Sequence, residues 1–163
     1  MEFPQLHKWS APLKLFVAIF LIIMSIGVTT GLIYVKFTTD MNLSGTMEHY
    51  RGSELVDNFD IPEKYPPSFE KMLLTTHIHI LSFSLIFFTL GGILYFSSLL
   101  GEGWKKFLMI EPLVSTFVTF GSLWGIRYIH SGFSFLTMFS GIFMYASFYF
   151  MVAFILYDVL LRK

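Results

Sequence analysis

The sequence predicts an all-α membrane protein: a four-transmembrane-helix bundle running up and down, with one long, ordered extracytoplasmic loop between helices 1 and 2. Apolar runs free of Asp, Glu, Lys and Arg cover 15–35, 72–101, 112–126 and 128–157. A helix needs roughly 20 apolar residues to cross a hydrocarbon core, which the first, second and fourth runs supply alone. The third qualifies if Glu111 and Arg127 sit near its two ends. Composition agrees, with 55% hydrophobic and 13% charged residues and a mean hydropathy of +0.66. A soluble domain carries about a quarter charged residues. The joining segments are the third observation, since two are short and one is long.

Approximate spans are 13–36, 72–100, 107–129 and 132–157, inside one integral membrane domain, 1–163. The first resembles a signal peptide, but its apolar run exceeds the roughly 7–15 residues of a signal core and no small-x-small cleavage site follows. It is expected to remain as a span. The loop, 37–71, holds Gly45, Gly52, Pro62, Pro66 and Pro67, and a stretch at 53–59 suited to one or two helical turns. Loops above about 12–15 residues in a compact protein are usually functional or disordered; the aromatic and polar residues here favour an ordered cap. Pro66-Pro67-Ser68 reads as a helix start with Ser68 as N-cap. Spans two and three join through Gly101-Glu102-Gly103-Trp104-Lys105-Lys106, and spans three and four through His130-Ser131-Gly132. Connections that short make spans two, three and four antiparallel neighbours.

Charge sets the expected orientation. With both termini cytoplasmic, the inner segments hold six Lys and Arg against four Asp and Glu, and the outer segments five against seven. Basic residues favour the inner side. The net charge of zero gives no reason to expect nucleic acid as a partner. With no cysteine, disulfides, thiolate metal sites, iron–sulfur clusters and covalent c-type haem are excluded. The expected partners are the lipid bilayer and either other membrane subunits or further copies of the chain.

This topology brings Glu48, His49, His77, His79, Arg127 and His130 toward one face, and ionisable residues at membrane depth are functional candidates by default. His77 and His79 lie about 200° apart on a helix and cannot chelate one ion together. His77 shares its face with Ser84, Phe88, Gly91 and Gly92. Small residues let helices approach closely in lipid, so His77 is expected to point into the bundle and His79 elsewhere. The loop segment Gly45-Thr46-Met47-Glu48-His49-Tyr50-Arg51-Gly52 sets a carboxylate, an imidazole, a phenol and a guanidinium between two glycines that permit sharp turns. It is expected to fold down onto the helix ends.

The motif Gly45-Thr46-x-Glu48-His49-Tyr50-Arg51-Gly52, followed by Thr76-His77-x-His79, resembles a family of small, uncharacterised four-span proteins of the bacterial inner membrane. The resemblance covers most of the chain. It implies that location and treats both motifs as one site, and it brings no activity or ligand.

Three readings of the site stay open. In the first, His77 with His130 or His49 ligates a b-type haem, with Arg51 or Arg127 meeting the propionates. In the second, Glu48 with two or three histidines, the candidates being His49, His77 and His79, supplies ligands for Cu, Zn or Fe, ions that suit imidazole–carboxylate sets. Either would make the chain a haem- or metal-binding subunit, serving electron transfer within a larger membrane complex. In the third, a buried polar network pins the loop to the bundle of an accessory or assembly subunit with no cofactor of its own. No catalytic residue can be assigned.

Other features take plainer readings. The nine methionines read as packing or lipid-facing residues. The stripe Ser134, Thr137, Gly141, Tyr145 and Phe148 reads as a helix-packing seam. Glu111-Pro112 reads as a helix start with its carboxylate at the interface, and Asp158 with Arg162 as an i, i+4 pair worth a few tenths of a kcal/mol. No Ser/His/Asp arrangement or phosphate-binding glycine loop is present, and the spans lack the paired interruptions and midplane charges of a carrier.

Overall fold

Helix α1 runs Ala11–Thr39, long enough and apolar enough to cross a bilayer, and it opens with Pro12 in its first turn, where a missing N–H costs nothing. The computed structural model describes residues 5–53 and 63–162. Three further spans follow: α3 at Phe69–Tyr95, α4 at Glu102–Tyr128 and α5 at Phe133–Leu160. Between α1 and α3 lies a short helix, α2, at Leu43–Arg51. All regular structure among the described residues is helical, in the expected four-span bundle.

The most apolar span is the most peripheral. In α1 only 22% of the apolar window is buried within the protein, against 44% in α4, the least apolar span. The most extensive pairing is α4 with α5, followed by α3 with α4, while α1 packs chiefly on α5. The core holds Phe87, Leu90, Leu94, Ile126, Phe148 and Ile155, all almost fully buried. Gly125 closes the α4–α5 hairpin, because a Cβ there would fall 2.5 Å from the Phe133 ring.

Polar side chains join the spans where no water is available. Thr119 donates to Ser140 at 2.7 Å and Ser122 pairs with Thr137 at 2.6 Å, both between α4 and α5. Trp124 Nε1 donates to Thr76 Oγ1 at 2.9 Å and ties α4 to α3. The Thr29 and Tyr149 hydroxyls, 2.8 Å apart, tie α1 to α5. Thr137 of the expected packing seam does bond across helices. Ser134 is fully buried, and its hydroxyl has no partner among the described residues.

Two sequence expectations are corrected here. Glu111-Pro112 is not a helix start: α4 opens at Glu102, so Glu111 lies nine residues in, with Pro112 inside the helix. Pro112 lacks an N–H to continue the ladder, a loss that transmembrane helices tolerate. Asp158 is more than half of a surface ion pair. It is 0% exposed, accepts from Ser97 Oγ at 2.5 Å, and stands 3.8 Å from His7 Nδ1 and 3.4 Å from Arg162. The segment before α1 folds under the bundle to reach it, with the Leu6 N–H donating to the Phe96 carbonyl at 2.9 Å. Sequence spacing exposed only the local Arg162 contact, while Ser97 and His7 arrive from other parts of the chain.

Truncating a buried group that satisfies several others costs far more than truncating an exposed partner. Asp158→Ala is expected to cost on the order of 3 kcal/mol, near the low end for breaking a buried ion pair. Arg162→Ala should cost roughly 0.5 kcal/mol, as for an exposed pair. Unfolding of both variants in detergent checks this, and equal losses would remove Asp158 as the hub of that end.

Candidate functional site

The chain reverses sharply after α1 to form the cap. Asp40 and Met41 take φ of 52° and 51°, a left-handed conformation that Asp tolerates and Met rarely adopts. Asn42 then caps α2, its side chain accepting from Gly45 N at 2.7 Å. Gly45 is required by close approach, because a Cβ there would meet the Thr39 carbonyl oxygen at 2.2 Å. Gly52 closes the helix at φ +91°. Gly45 therefore lies in the first turn of a helix and Gly52 ends it, where the sequence suggested a turning loop. The motif's helical phase is masked by its polarity, since α2 lies over the ends of α1, α4 and α5 and not within the bilayer core. The helical turns expected at 53–59 fall almost wholly within 54–62, outside the described residues.

The far side of the loop is pinned to α2. Ser53 N donates to the Lys64 carbonyl at 3.0 Å, and Lys64 N returns a bond to Ser53 Oγ at 3.0 Å. Glu48 accepts from Ser53 Oγ and from Lys64 Nζ, each at 2.8 Å. These donors hold the Glu48 carboxyl below its ordinary value, Lys64 first and Ser53 next. Ser68 caps α3 as expected, accepting from Lys71 N at 3.2 Å.

His49 is half-buried, lining a cavity of about 50 Å³ with Tyr34, Tyr50, Lys71, Thr75 and Leu123. Its ring meets Tyr50 edge-on at 4.8 Å. Burial pushes its pKa down, helped by the positive charges of Lys71 and Lys64. Burial likewise pushes the Tyr50 phenol up to about 12.

The two α3 histidines lie opposite to expectation. His77 is exposed on the side of α3 that also carries Phe88, 77% exposed, and Gly92, beside which nothing lies within 4 Å. His79 is half-buried, its Nδ1–H donating to the Thr75 carbonyl at 2.7 Å and its ring 4.9 Å from Phe120 and 6.2 Å from Phe83. The small-residue argument misplaced the helix by treating Gly91 and Gly92 as one face. Only Gly91 is buried, against Met109, and the bundle face runs through Met72, Phe83, Phe87 and Leu90.

The remaining candidates are dispersed. Arg51 and His130 are exposed, with His130 Nδ1 accepting from Gly132 N at 2.9 Å. The Arg127 guanidinium lies 5.4 Å from the Tyr128 ring centroid, and its buried Nε has no hydrogen-bond partner among the described residues. No three His, Asp or Glu side chains among the described residues come together as metal ligands. The set Glu48, His49, His77 and His79 is split between a cap ion pair, a small cavity, the outer surface and the bundle interior. The sequence reading also passed over a polar group deeper in the membrane: Glu111 accepts from Ser115 on its own helix and from Ser147 of α5. Its i, i+4 spacing to Ser115 was a signal that the adjacent proline obscured.

These features define an integral membrane protein with a four-span helical bundle and a docked helical cap. The chain belongs to the Aq_1264_TM family of transmembrane helical domains, whose model matches residues 40–163. No curated protein and no solved structure matches it.

Two outcomes follow from the histidine geometry. His79→Ala removes a packed, hydrogen-bonded ring and is expected to cost about 1–3 kcal/mol, while His77→Ala should leave bundle stability nearly unchanged; thermal unfolding in detergent compares them. The lowered His49 value makes the unfolded state the stronger proton binder. Its contribution is therefore present above the ordinary pKa of 6.5 and lost as pH falls through the lower folded value. The unfolding midpoint should drop as the pH falls below about 6.5, and His49→Gln should flatten that drop.

Proposed function

We propose that this chain is an accessory subunit of a larger assembly in a bacterial inner membrane, with both termini cytoplasmic and the α2 cap outside. Its cap-side polar residues tie the loop to α2 and pack α3 against α4. The observation that carries this reading is the commitment of the candidate ligands: Glu48 is taken by Lys64 and Ser53, and His79 by the Thr75 carbonyl and the Phe120 ring. His77 is left exposed on a span, without a partner among the described residues, and an imidazole at membrane depth is costly unless another polar group meets it. A neighbouring subunit supplies that group. The excess of basic residues on the termini side supports the orientation.

A second reading is favoured by the same residue: an outward imidazole is suited to ligate a haem or metal ion shared with a second chain, for electron transfer between them. One preparation separates the two. Protein extracted from its own membranes in mild detergent should run, detergent subtracted, well above the 18.9 kDa of one chain. His77→Ala should reduce that mass without unfolding the protein. No Soret band and no stoichiometric metal are expected, and either would favour the second reading. A monomeric mass would end both. In intact cells an impermeant thiol reagent should label a cysteine at position 53 and spare one at 103; the converse inverts the orientation.

A further inference from the structure

Glu111 places a carboxylate deep within the membrane-spanning part of the bundle. It lies about 14 Å along α4 from the start of the helix, counting 1.5 Å per residue. Its second partner, Ser147, sits midway along α5. One side of Glu111 faces a groove of about 240 Å³ between α4 and α5, walled by Val118, Leu136, Phe139 and Phe143. Phe139 is 64% exposed, so the groove opens toward lipid.

We infer that Glu111 is a proton-binding site within the membrane, reached through this lipid-facing groove. An ionised carboxylate at such depth needs a counter-charge, and none contacts Glu111 among the described residues. On α4 the nearest charged residues are Lys105 and Lys106, toward the helix start, and Lys105 is engaged with Glu102 and the Tyr95 carbonyl. The titratable residues of α5 in this half of the bundle are Tyr145, Tyr149, Tyr157 and Asp158, and α3 offers only Tyr95. None of them is bonded to Glu111 among the described residues, whose two contacts are both serine hydroxyls. A proton is the one cation whose binding turns the carboxylate into a neutral group by a covalent bond, so the site needs no room for a hydrated ion.

The partners suit a group that changes charge. A serine hydroxyl both donates and accepts, so Ser115 and Ser147 donate to the carboxylate and can rotate to accept from the acid. A lysine or arginine could serve only the ionised form. Uptake forms one O–H bond on a carboxylate oxygen, breaks one O–H bond of the hydronium ion that supplies the proton and leaves water, and removes one negative charge from the α4–α5 interface. Further hydroxyls continue from this point toward the cap. The Thr119–Ser140 and Ser122–Thr137 pairs follow within about 16 Å along α4.

The test uses the full-length protein in lipid vesicles. Dicyclohexylcarbodiimide, neutral and lipid-soluble, condenses with protonated carboxyl groups in apolar surroundings. Peptide mass mapping should find its adduct on Glu111, with a yield that falls as the medium is made alkaline. A charged, water-soluble carbodiimide should leave Glu111 unmodified, and Glu111→Gln should lose the adduct. Should that variant fail to fold, the mapped site and the pH series on the unaltered protein still decide. No adduct at Glu111, a yield independent of pH, or equal modification by the water-soluble reagent would overturn the assignment.

Discussion

A hydrocarbon interior offers no hydrogen bonds, and the polar seam between α4 and α5 is this chain's main answer to that constraint. Between helices in lipid, association depends on close packing and interhelical hydrogen bonds, because the tails are as apolar as the side chains. Thr119–Ser140, Ser122–Thr137 and Glu111–Ser147 join these two helices along most of their shared length. The other spans attach to that pair. α3 joins through Trp124 and Thr76, and α1 through Thr29 and Tyr149. That order explains why α4 is both the least apolar and the most buried span.

The two ends of the bundle are closed in different ways. At the cap, the loop is tied to α2 by an ion pair that is partly open to water and contributes little, and α2 meets the bundle through burial of Thr46, Tyr50 and the His49 ring. At the other end, Asp158 is fully removed from solvent and gathers Ser97, Arg162 and His7 from separate parts of the chain. A buried carboxylate with several partners acts as a fixed joint, whereas an exposed ion pair can open and close at small cost.

The histidines illustrate how little residue type says about role. Of the four on the cap side, one lines a small cavity, one packs inside the bundle, one faces outward and one closes a turn. All but the outward-facing His77 are accounted for by their own surroundings. Glu111 carries less of a motif than any of them, yet it is the group whose placement in the membrane has the most chemical consequence.

The four spans, their antiparallel order, the Ser68 cap and the membrane location were legible in the sequence, because span length and loop length are local properties of the chain. The polar seam was half legible: Thr137 fell on the expected stripe, but its α4 partner Ser122 did not announce itself, and Ser134 of the same stripe has no partner among the described residues. Three things were decided only by the tertiary structure. The rotation of α3 depends on which of two adjacent glycines meets Met109, a contact between helices that periodicity in a nearly all-apolar segment cannot encode. The depth of Glu111 depends on α4 continuing through Pro112, which neighbouring helices allow and local propensity opposes. The burial of Asp158 depends on Ser97, sixty-one positions away, and on a segment before α1 folding back beneath the bundle. In each case the sequence supplies the polar group, and packing between distant segments decides whether that group meets water, lipid or a partner.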